Sequence, residues 1–468
     1  MDTRYKSLLS GGSGSSGPAS GEWKIVNPAR LDARPGVVEY RYSDLEAAIE
    51  GAIRQEREGS PLSGPAASAA VIESALRVLS DHEAVLIRRI QEETGRVEGD
   101  LALEFQQTRA MLEGLRSSPD LEAAREARGV AAVVLSAVWP VFYPVQFALF
   151  NLLIGNPVIL KPSEKTTASV LELFSALRLA HPAWERVQVL AGDRELGRRL
   201  VCHEAVSVVV FQGSFETGMR VRQDTLSQPA KEVLLFLGAK NPVILLDSLE
   251  NTGTIEEQIL RDAFTGAGQH CLAASQVWVP ARRLEAFVDS FHEKCKAFTI
   301  GGPGEGAFMG PILDAAVTDR YFKFIGISER EGARIVMRGK NHPSKKEGHF
   351  VTPTLAVFES VSEDRMRRSV SLQTEILAPH LSILSYENED SLARVLSRSS
   401  YGHSAAIFGP ADDAKILAER LAFGRIVINR GLFEISPQVR AQVFKRSGNH
   451  ARLGPGILDQ LGRTRWIG

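Results

Sequence analysis

Six short β-rich runs constrain the fold more than any other feature of this chain. They are Ala131–Leu135, Pro157–Lys161, Val187–Leu190, Val206–Phe211, Val233–Leu237 and Pro242–Leu246, and helical patterns fill most of the intervals between them. Strands buried on both faces read as near-continuous apolar runs, and helical crossovers make neighbouring strands parallel. The pattern predicts an α/β fold with a parallel sheet covered on both faces, an architecture that binds nucleotides beyond the carboxyl ends of its strands. A second α/β stretch, from about Leu249 to Lys445, adds strands near Gln276–Val279, Leu355–Val357, Leu381–Ser385 and Arg425–Asn429. Its helices include Glu285–Lys296 and Asp413–Leu421.

The region before these strands is helical. Ser43 with Glu46 three residues later suggests a helix start, and Ala67 to Thr94 and Gly99 to Leu115 carry apolar residues at three- and four-residue spacing. The first 22 residues are rich in Gly and Ser and read as a flexible leader. They contain Gly12-Ser13-Gly14-Ser15-Ser16-Gly17, a literal G-x-G-x-x-G, but no strand precedes it and no apolar helix follows, so it is no nucleotide fingerprint. At roughly 100–200 residues per domain, 468 residues suggest two or three domains. A net charge of -1 leaves no electrostatic footprint for nucleic acid or an anionic membrane. Cys202, Cys271 and Cys295 have neither disulfide-framework nor metal-ligand spacing. The longest apolar stretch, Val141 to Ile154, has the length of a core helix. The amino terminus lacks the basic-then-apolar order of a signal peptide. The chain reads as cytoplasmic, with no nucleic acid, membrane or metal among its partners. It shows no internal repeat and no heptad array.

Several segments in order carry a resemblance. They are Gly155-Asn156-Pro157 through Lys161-Pro162-Ser163-Glu164, Phe211-Gln212-Gly213-Ser214 with Gly218, Leu237-Gly238-Ala239-Lys240-Asn241-Pro242, Gly268-Gln269-His270-Cys271, Met309-Gly310-Pro311, Pro353-Thr354, Glu375 with Pro379, and Lys445-Arg446-Ser447-Gly448. Each alone is weak, and their order and spacing together are specific. The chain resembles the aldehyde dehydrogenase superfamily and, within it, the succinylglutamate-semialdehyde dehydrogenases. The resemblance implies a Rossmann-like parallel-sheet NAD-binding domain over residues 23–238 and a second α/β catalytic domain over 239–446. It also implies a tail over 447–468 that takes part in oligomerisation. An oligomerisation arm is expected to begin in Arg109–Arg128. Here that region is helix-like and charged, so the arm (within 108–128) is reduced or is a plain surface connector, and a homodimer is expected.

The cofactor implied is NAD, held by Lys161, Ser163, Glu164, Gly213, Ser214 and Glu375. Lys161 and Glu164 follow a strand, where such ligands bind, and a carboxylate there would repel a 2′-phosphate. Without a ligand they read as a surface lysine and a glutamate favoured by a helix dipole. Gly213 and Ser214 open a helix, whose amides suit a phosphate as well as an ordinary Ser cap. Glu375 matches the family glutamate on the nicotinamide ribose, or is a solvated loop acid.

By resemblance Cys271 is the nucleophile that attacks an aldehyde carbonyl; the plain alternative is a buried, inert thiol. Two helpers are missing. Where the family has an oxyanion-binding Asn, eighteen residues before Asn156, this chain has Val138. Losing such a donor typically costs about 10²–10³ in rate. Where the family has its general-base Glu, this chain has Phe236, a loss commonly on the order of 10²–10⁴. His270 is a poor substitute base, because neighbouring side chains in an extended segment point to opposite faces. Three functions follow: an NAD-dependent aldehyde dehydrogenase with altered chemistry; an acylating dehydrogenase or acyl reductase, in which a thiol or phosphate replaces water; or a scaffold that binds dinucleotide or a partner. The aldehyde entrance is expected around Asn429 to Gln442, with Phe433, Ile435, Gln438 and Arg440. An aldehyde or acyl compound is the small-molecule partner.

Overall fold

The computed structural model describes residues 3–14, 17–60, 62, 64–121, 125–250, 253–436, 441–449, 451–453 and 456–463. Two seven-stranded sheets organise it. In the first, the order across the sheet is Glu232–Phe236, Val206–Gln212, Val130–Val134, Val158–Lys161, Val187–Val189, Leu8–Leu9 and Gly12–Ser13. The first five of these strands are parallel. The chain winds outward from Val130–Val134 through Val158–Lys161 to Val187–Val189, then returns to the other side of Val130–Val134. The order therefore reverses between Val130–Val134 and Val206–Gln212, the point where parallel sheets open a ligand crevice.

Alternation along the strands fills two cores. Val208 and Val210 face the helices Pro65–Asp81, Glu83–Thr94, Glu98–Arg116, Phe142–Ile154 and Thr167–Ala180. Val209 and Phe211 face Ser43–Glu58 and Arg194–Cys202. The second sheet runs Arg334–Met337, Thr354–Phe358, His380–Tyr386, Ala274–Pro280, Asn241–Leu245, Ser404–Phe408 and Arg425–Ile428, with only Arg334–Met337 antiparallel. It too has a core on each face. The α/β class with parallel sheets is as the β-rich runs predict.

Several details differ from expectation. The stretch expected as a flexible leader is structured where it is described. Arg4–Tyr5 pairs with Val37–Val38, and Leu8 pairs with Val189 at the edge of the first sheet. Two-residue strands are set by their partners, so Gly- and Ser-rich composition hides them. Ser15 and Ser16 lie outside the described residues. The run Pro242–Leu246 belongs to the second sheet, because Asn241–Leu245 pairs with Ala274–Pro280 and Ser404–Phe408. The strand Ser404–Phe408 was not anticipated. The first helix does begin at Ser43, but Tyr42 occupies the cap position and no side chain caps it. The region 108–128 ends the helix Glu98–Arg116 and then forms the short strand Glu126–Ala127, which pairs with Gly462–Arg463 of the same chain. Among the described residues no helix is long and apolar enough to cross a membrane.

Candidate functional site

The crevice at the strand-order reversal is closed at its base by a hydrogen bond from Ser136 Oγ to Gln212 Oε1 at 3.0 Å. Two cavities meet there. One, of about 640 Å³, is lined by Lys161, Ser163, Glu164, Arg194, Gln212 and Thr217, among others. The other, of about 220 Å³, is lined by Arg96, Asp100, Val138, Gly266, Gln269 and Leu377, among others. Ser136 and Ser163 border both.

Lys161 is buried at the end of its strand, and its Nζ donates to Pro162 O at 3.1 Å and pairs with Glu164 Oε1 at 3.3 Å. Burial lowers its pKa, against the pull of Glu164. A surface lysine this is not. Ser214 caps the helix Phe215–Asp224, accepting from Thr217 N at 3.3 Å. The Gly213 amide donates to Phe236 O at 3.0 Å, so it is not the phosphate donor expected of it. Gly213 contributes space instead, since a Cβ there would lie 2.6 Å from the Phe211 ring. Glu375 is no solvated acid. Its Oε1 accepts from Ala239 N at 2.9 Å, and it lies so close to Gly238 that a Cβ there would be 2.2 Å from Oε2.

Cys271 follows a turn with three consecutive left-handed residues, Gly266 (φ 61°), Ala267 (φ 54°) and Gly268 (φ 67°). An L-residue such as Ala267 holds that conformation only when its surroundings enforce it. Asp100 Oδ1 accepts from Gly266 N at 2.8 Å. Gln269 Nε2 donates to Gly266 O at 3.0 Å and Pro311 O at 3.2 Å, while its Oε1 accepts from Leu313 N at 2.8 Å. Asn241 Nδ2 then fixes the thiol's own peptide, donating to Cys271 O at 2.8 Å and Ala273 O at 3.1 Å. The thiol is 8% exposed. Tyr143 Oη lies 3.6 Å from Sγ and His270 Nδ1 3.8 Å away. The same Nδ1 accepts from Leu272 N at 2.9 Å, the backbone partner that makes His270 a poor base. Burial pushes the Cys295 thiol up to about 12 and also raises that of Cys202, as expected of inert cysteines.

Rings crowd His270, next to the thiol. Trp139, itself at φ 50°, lies 4.4 Å from His270 between ring centroids, and Phe433 lies 5.0 Å from His270 and 6.1 Å from Trp139. Phe433 thus reaches the thiol region, Ile435 packs against the same core, and Gln438 and Arg440 lie outside the described residues. Val138 is half-buried beside the smaller cavity, and its amide donates to Ser136 Oγ at 3.4 Å. Phe236 is 1% exposed and meets Phe147 edge-to-face at 4.5 Å.

Sequence reasoning missed the support beneath this arrangement. Glu104, fully buried, accepts from Val141 N at 2.6 Å and Phe142 N at 3.1 Å, and meets Arg96 at 3.4 Å. Arg96 also donates to Ala137 O at 3.2 Å. Burial raises the Glu104 carboxyl to about 7 and that of Asp100 to about 6. Their four-residue spacing on one helix was the available signal. For Tyr143 the signal was a lone hydroxyl in a mostly apolar run. Among the described residues no group of three or more His, Cys, Asp or Glu side chains is placed to hold a metal ion.

The fold is shared with solved structures. A betaine aldehyde dehydrogenase from Staphylococcus aureus, in complex with NAD+, superposes with a TM-score of 0.88 at 20% identity, covering 97% of this chain and 95% of that one. A Mycobacterium tuberculosis aldehyde dehydrogenase, also complexed with NAD+, gives 0.91 at 22% identity, covering 99% and 98%. In sequence, the chain is 32% identical over 295 residues to betaine aldehyde dehydrogenase 1 of Rhizobium meliloti (strain 1021). That match spans 61% of this chain and 59% of the relative's length. The family model described as "Aldehyde dehydrogenase family" matches residues 17–467, and the chain belongs to that family.

Proposed function

We propose that this chain binds NAD in the crevice and oxidises an aldehyde through a thioester on Cys271, with slow release of the acid. The observation that carries the reading is that the turn leading into Cys271 borders the crevice. Gly266 and Gln269, which lead into Cys271, line the cavity that shares Ser136 and Ser163 with the larger one. The crevice fits a dinucleotide. Gln212 Nε2 is buried beside it with no hydrogen-bond partner, a donor awaiting an acceptor. Lys161 and Glu164 would hold the adenosine ribose, with Glu164 disfavouring a 2′-phosphate. Ser163 and Thr217 border the same space. Ser214 shapes the helix end from which Thr217 projects, and Glu375, pinned at Ala239, would hold the second ribose. When bound, NAD supplies the hydride acceptor. The resemblance to succinylglutamate-semialdehyde dehydrogenases and the likeness to betaine aldehyde dehydrogenases point to different aldehydes, so the proposal stands at the level they share, a small aldehyde.

Release of the acid is the weak step. At the position where the family carries its base, the Phe236 ring packs against Phe147 and offers no proton acceptor. Val138 removes the amide donor in the same way. The buried Phe236 ring favours a second reading, in which a thiol such as coenzyme A accepts the acyl group and no activated water is needed. Rapid mixing of enzyme, NAD and an aldehyde panel tests both. We expect one equivalent of NADH in a burst, then a slow steady state, with the acyl group on Cys271 by mass spectrometry. Acceleration of the slow phase by coenzyme A selects the second reading. NAD binding with no burst for any aldehyde sinks both and leaves a dinucleotide-binding scaffold. From the resemblance we also infer a homodimer, read by sedimentation.

A further inference from the structure

We propose that Tyr143 is a catalytic residue: its phenol hydrogen-bonds the Cys271 sulfur and then donates to the oxygen of the adduct formed there, a role the Val138 side chain cannot fill. The inference rests on the reading that Cys271 attacks an aldehyde.

The geometry is direct. Tyr143 Oη stands 3.6 Å from Sγ, although 128 residues separate the two in sequence. The ring has little freedom. It is 1% exposed, stacks on Phe147 at 5.9 Å with planes 15° apart, and meets Phe142 edge-on at 5.2 Å. An oxyanion donor works by being fixed in advance, so this confinement is what the role requires.

Several nearby alternatives are otherwise engaged. A helix N-terminus is a ready source of amide donors, and the helix Phe142–Ile154 starts beside the thiol. Yet the Val141 and Phe142 amides both donate to Glu104, and the Tyr143 amide donates to Trp139 O at 3.3 Å. His270 Nδ1 has its lone pair on the Leu272 amide. Val138 carries no donor in its side chain. A phenol, in contrast, is a donor at neutral pH.

Cys271 loses its proton to solvent, with Tyr143 O–H stabilising the thiolate. The sulfur lone pair forms the S–C bond, and the carbonyl π pair moves onto oxygen, one bond beyond the carbon now joined to sulfur. The phenol turns its O–H to that oxygen and keeps its proton. With NAD bound as the hydride acceptor, the oxygen pair would re-form C=O as the hydride is lost, leaving the thioester and an unchanged Tyr143.

The test compares wild type with Tyr143→Phe in the full chain, using two readouts. The first is the pH dependence of iodoacetamide alkylation at Cys271, with Cys271→Ser as the blank for the other cysteines; it needs neither NAD nor turnover. The second is the rate of the NADH burst. We expect Tyr143→Phe to move the alkylation midpoint to higher pH and to slow the burst by about 10²–10³-fold, the usual loss for one oxyanion donor, with NAD affinity unchanged. An unmoved midpoint together with a burst within about 2-fold of wild type overturns the proposal. A moved midpoint with an unchanged burst overturns the oxyanion role. If wild type gives no burst with any aldehyde, the proposed function fails, and the oxyanion role with it, while the midpoint still reports on the sulfur–phenol bond. Should Tyr143→Phe fold poorly, replacing Tyr143 with 3-fluorotyrosine keeps the question open to refutation. Its more acidic phenol must lower the midpoint.

Discussion

Glu375 and Gly238 show how little room this site leaves. The carboxylate accepts from Ala239 N, and only a hydrogen atom fits at Gly238 beside it. We predict that Gly238→Ala pushes Glu375 off that amide and weakens NAD binding by roughly 10-fold, about the worth of one charged hydrogen bond. Fluorescence titration with NAD reads the change, and an unaltered affinity would remove Glu375 from the cofactor site. Legibility at this scale was uneven. Cys271, Lys161 and Glu164 stand in segments whose spacing marks them. Tyr143 does not, because its partner is brought to it by two different sheets, and no local spacing records that meeting. The Gly213 amide was misread for a related reason. Its acceptor, Phe236 O, comes from the neighbouring strand.

The helix Glu98–Arg116 is the element that joins the two halves of the site. From adjacent turns it presents Asp100 to the Gly266 amide and Glu104 to the Val141 and Phe142 amides. It thereby holds the turn before Cys271 and the start of the helix bearing Tyr143 in one frame. The carboxyls are held at a cost set by pH. Burial raises Glu104 to about 7, Asp100 to about 6 and Glu93 to about 7, all above their ordinary values. A carboxyl whose folded pKa is raised adds stability below its unfolded value, and that stability is lost as pH rises through the folded one. These three groups therefore make the protein progressively less stable as pH rises from about 4 to about 7. His380 works oppositely, since burial depresses it to about 3 and its contribution is lost as pH falls below 6.5. We predict that Glu104→Gln flattens the decline between pH 5 and pH 8 by on the order of 2 kcal/mol. Urea unfolding at the two pH values measures it. Element positions were the most legible part of this molecule, because the buried parallel strands are continuous apolar runs. Ser404–Phe408 escaped because Ser-Ala-Ala-Ile-Phe has a single β-branched residue.

Across the whole molecule, the thiol sits where chain from both sheets converges. Trp139 follows a strand of the first sheet, Phe433 follows the last strand of the second, and their rings meet around His270. The cluster packs around His270, the residue before Cys271, and we predict that it shields the thiol. Phe433→Ala should speed alkylation of Cys271 by roughly 10-fold while leaving NAD affinity alone, since the lost ring removes burial without touching the crevice. Equal alkylation rates would show that the cap does not control access.

The amino-terminal strand Leu8–Leu9 has a further consequence. By pairing with Val189 it covers the flank of the first sheet with a strand of two residues, backed by Gly12–Ser13. Removing residues 1–14 would uncover the strand edge at Val189, whose backbone any extended chain could then dock against. The trimmed protein should keep its crevice yet self-associate with time and concentration, visible by light scattering. What looks in the sequence like a dispensable Gly- and Ser-rich stretch is, in this fold, the cover on an otherwise open strand edge.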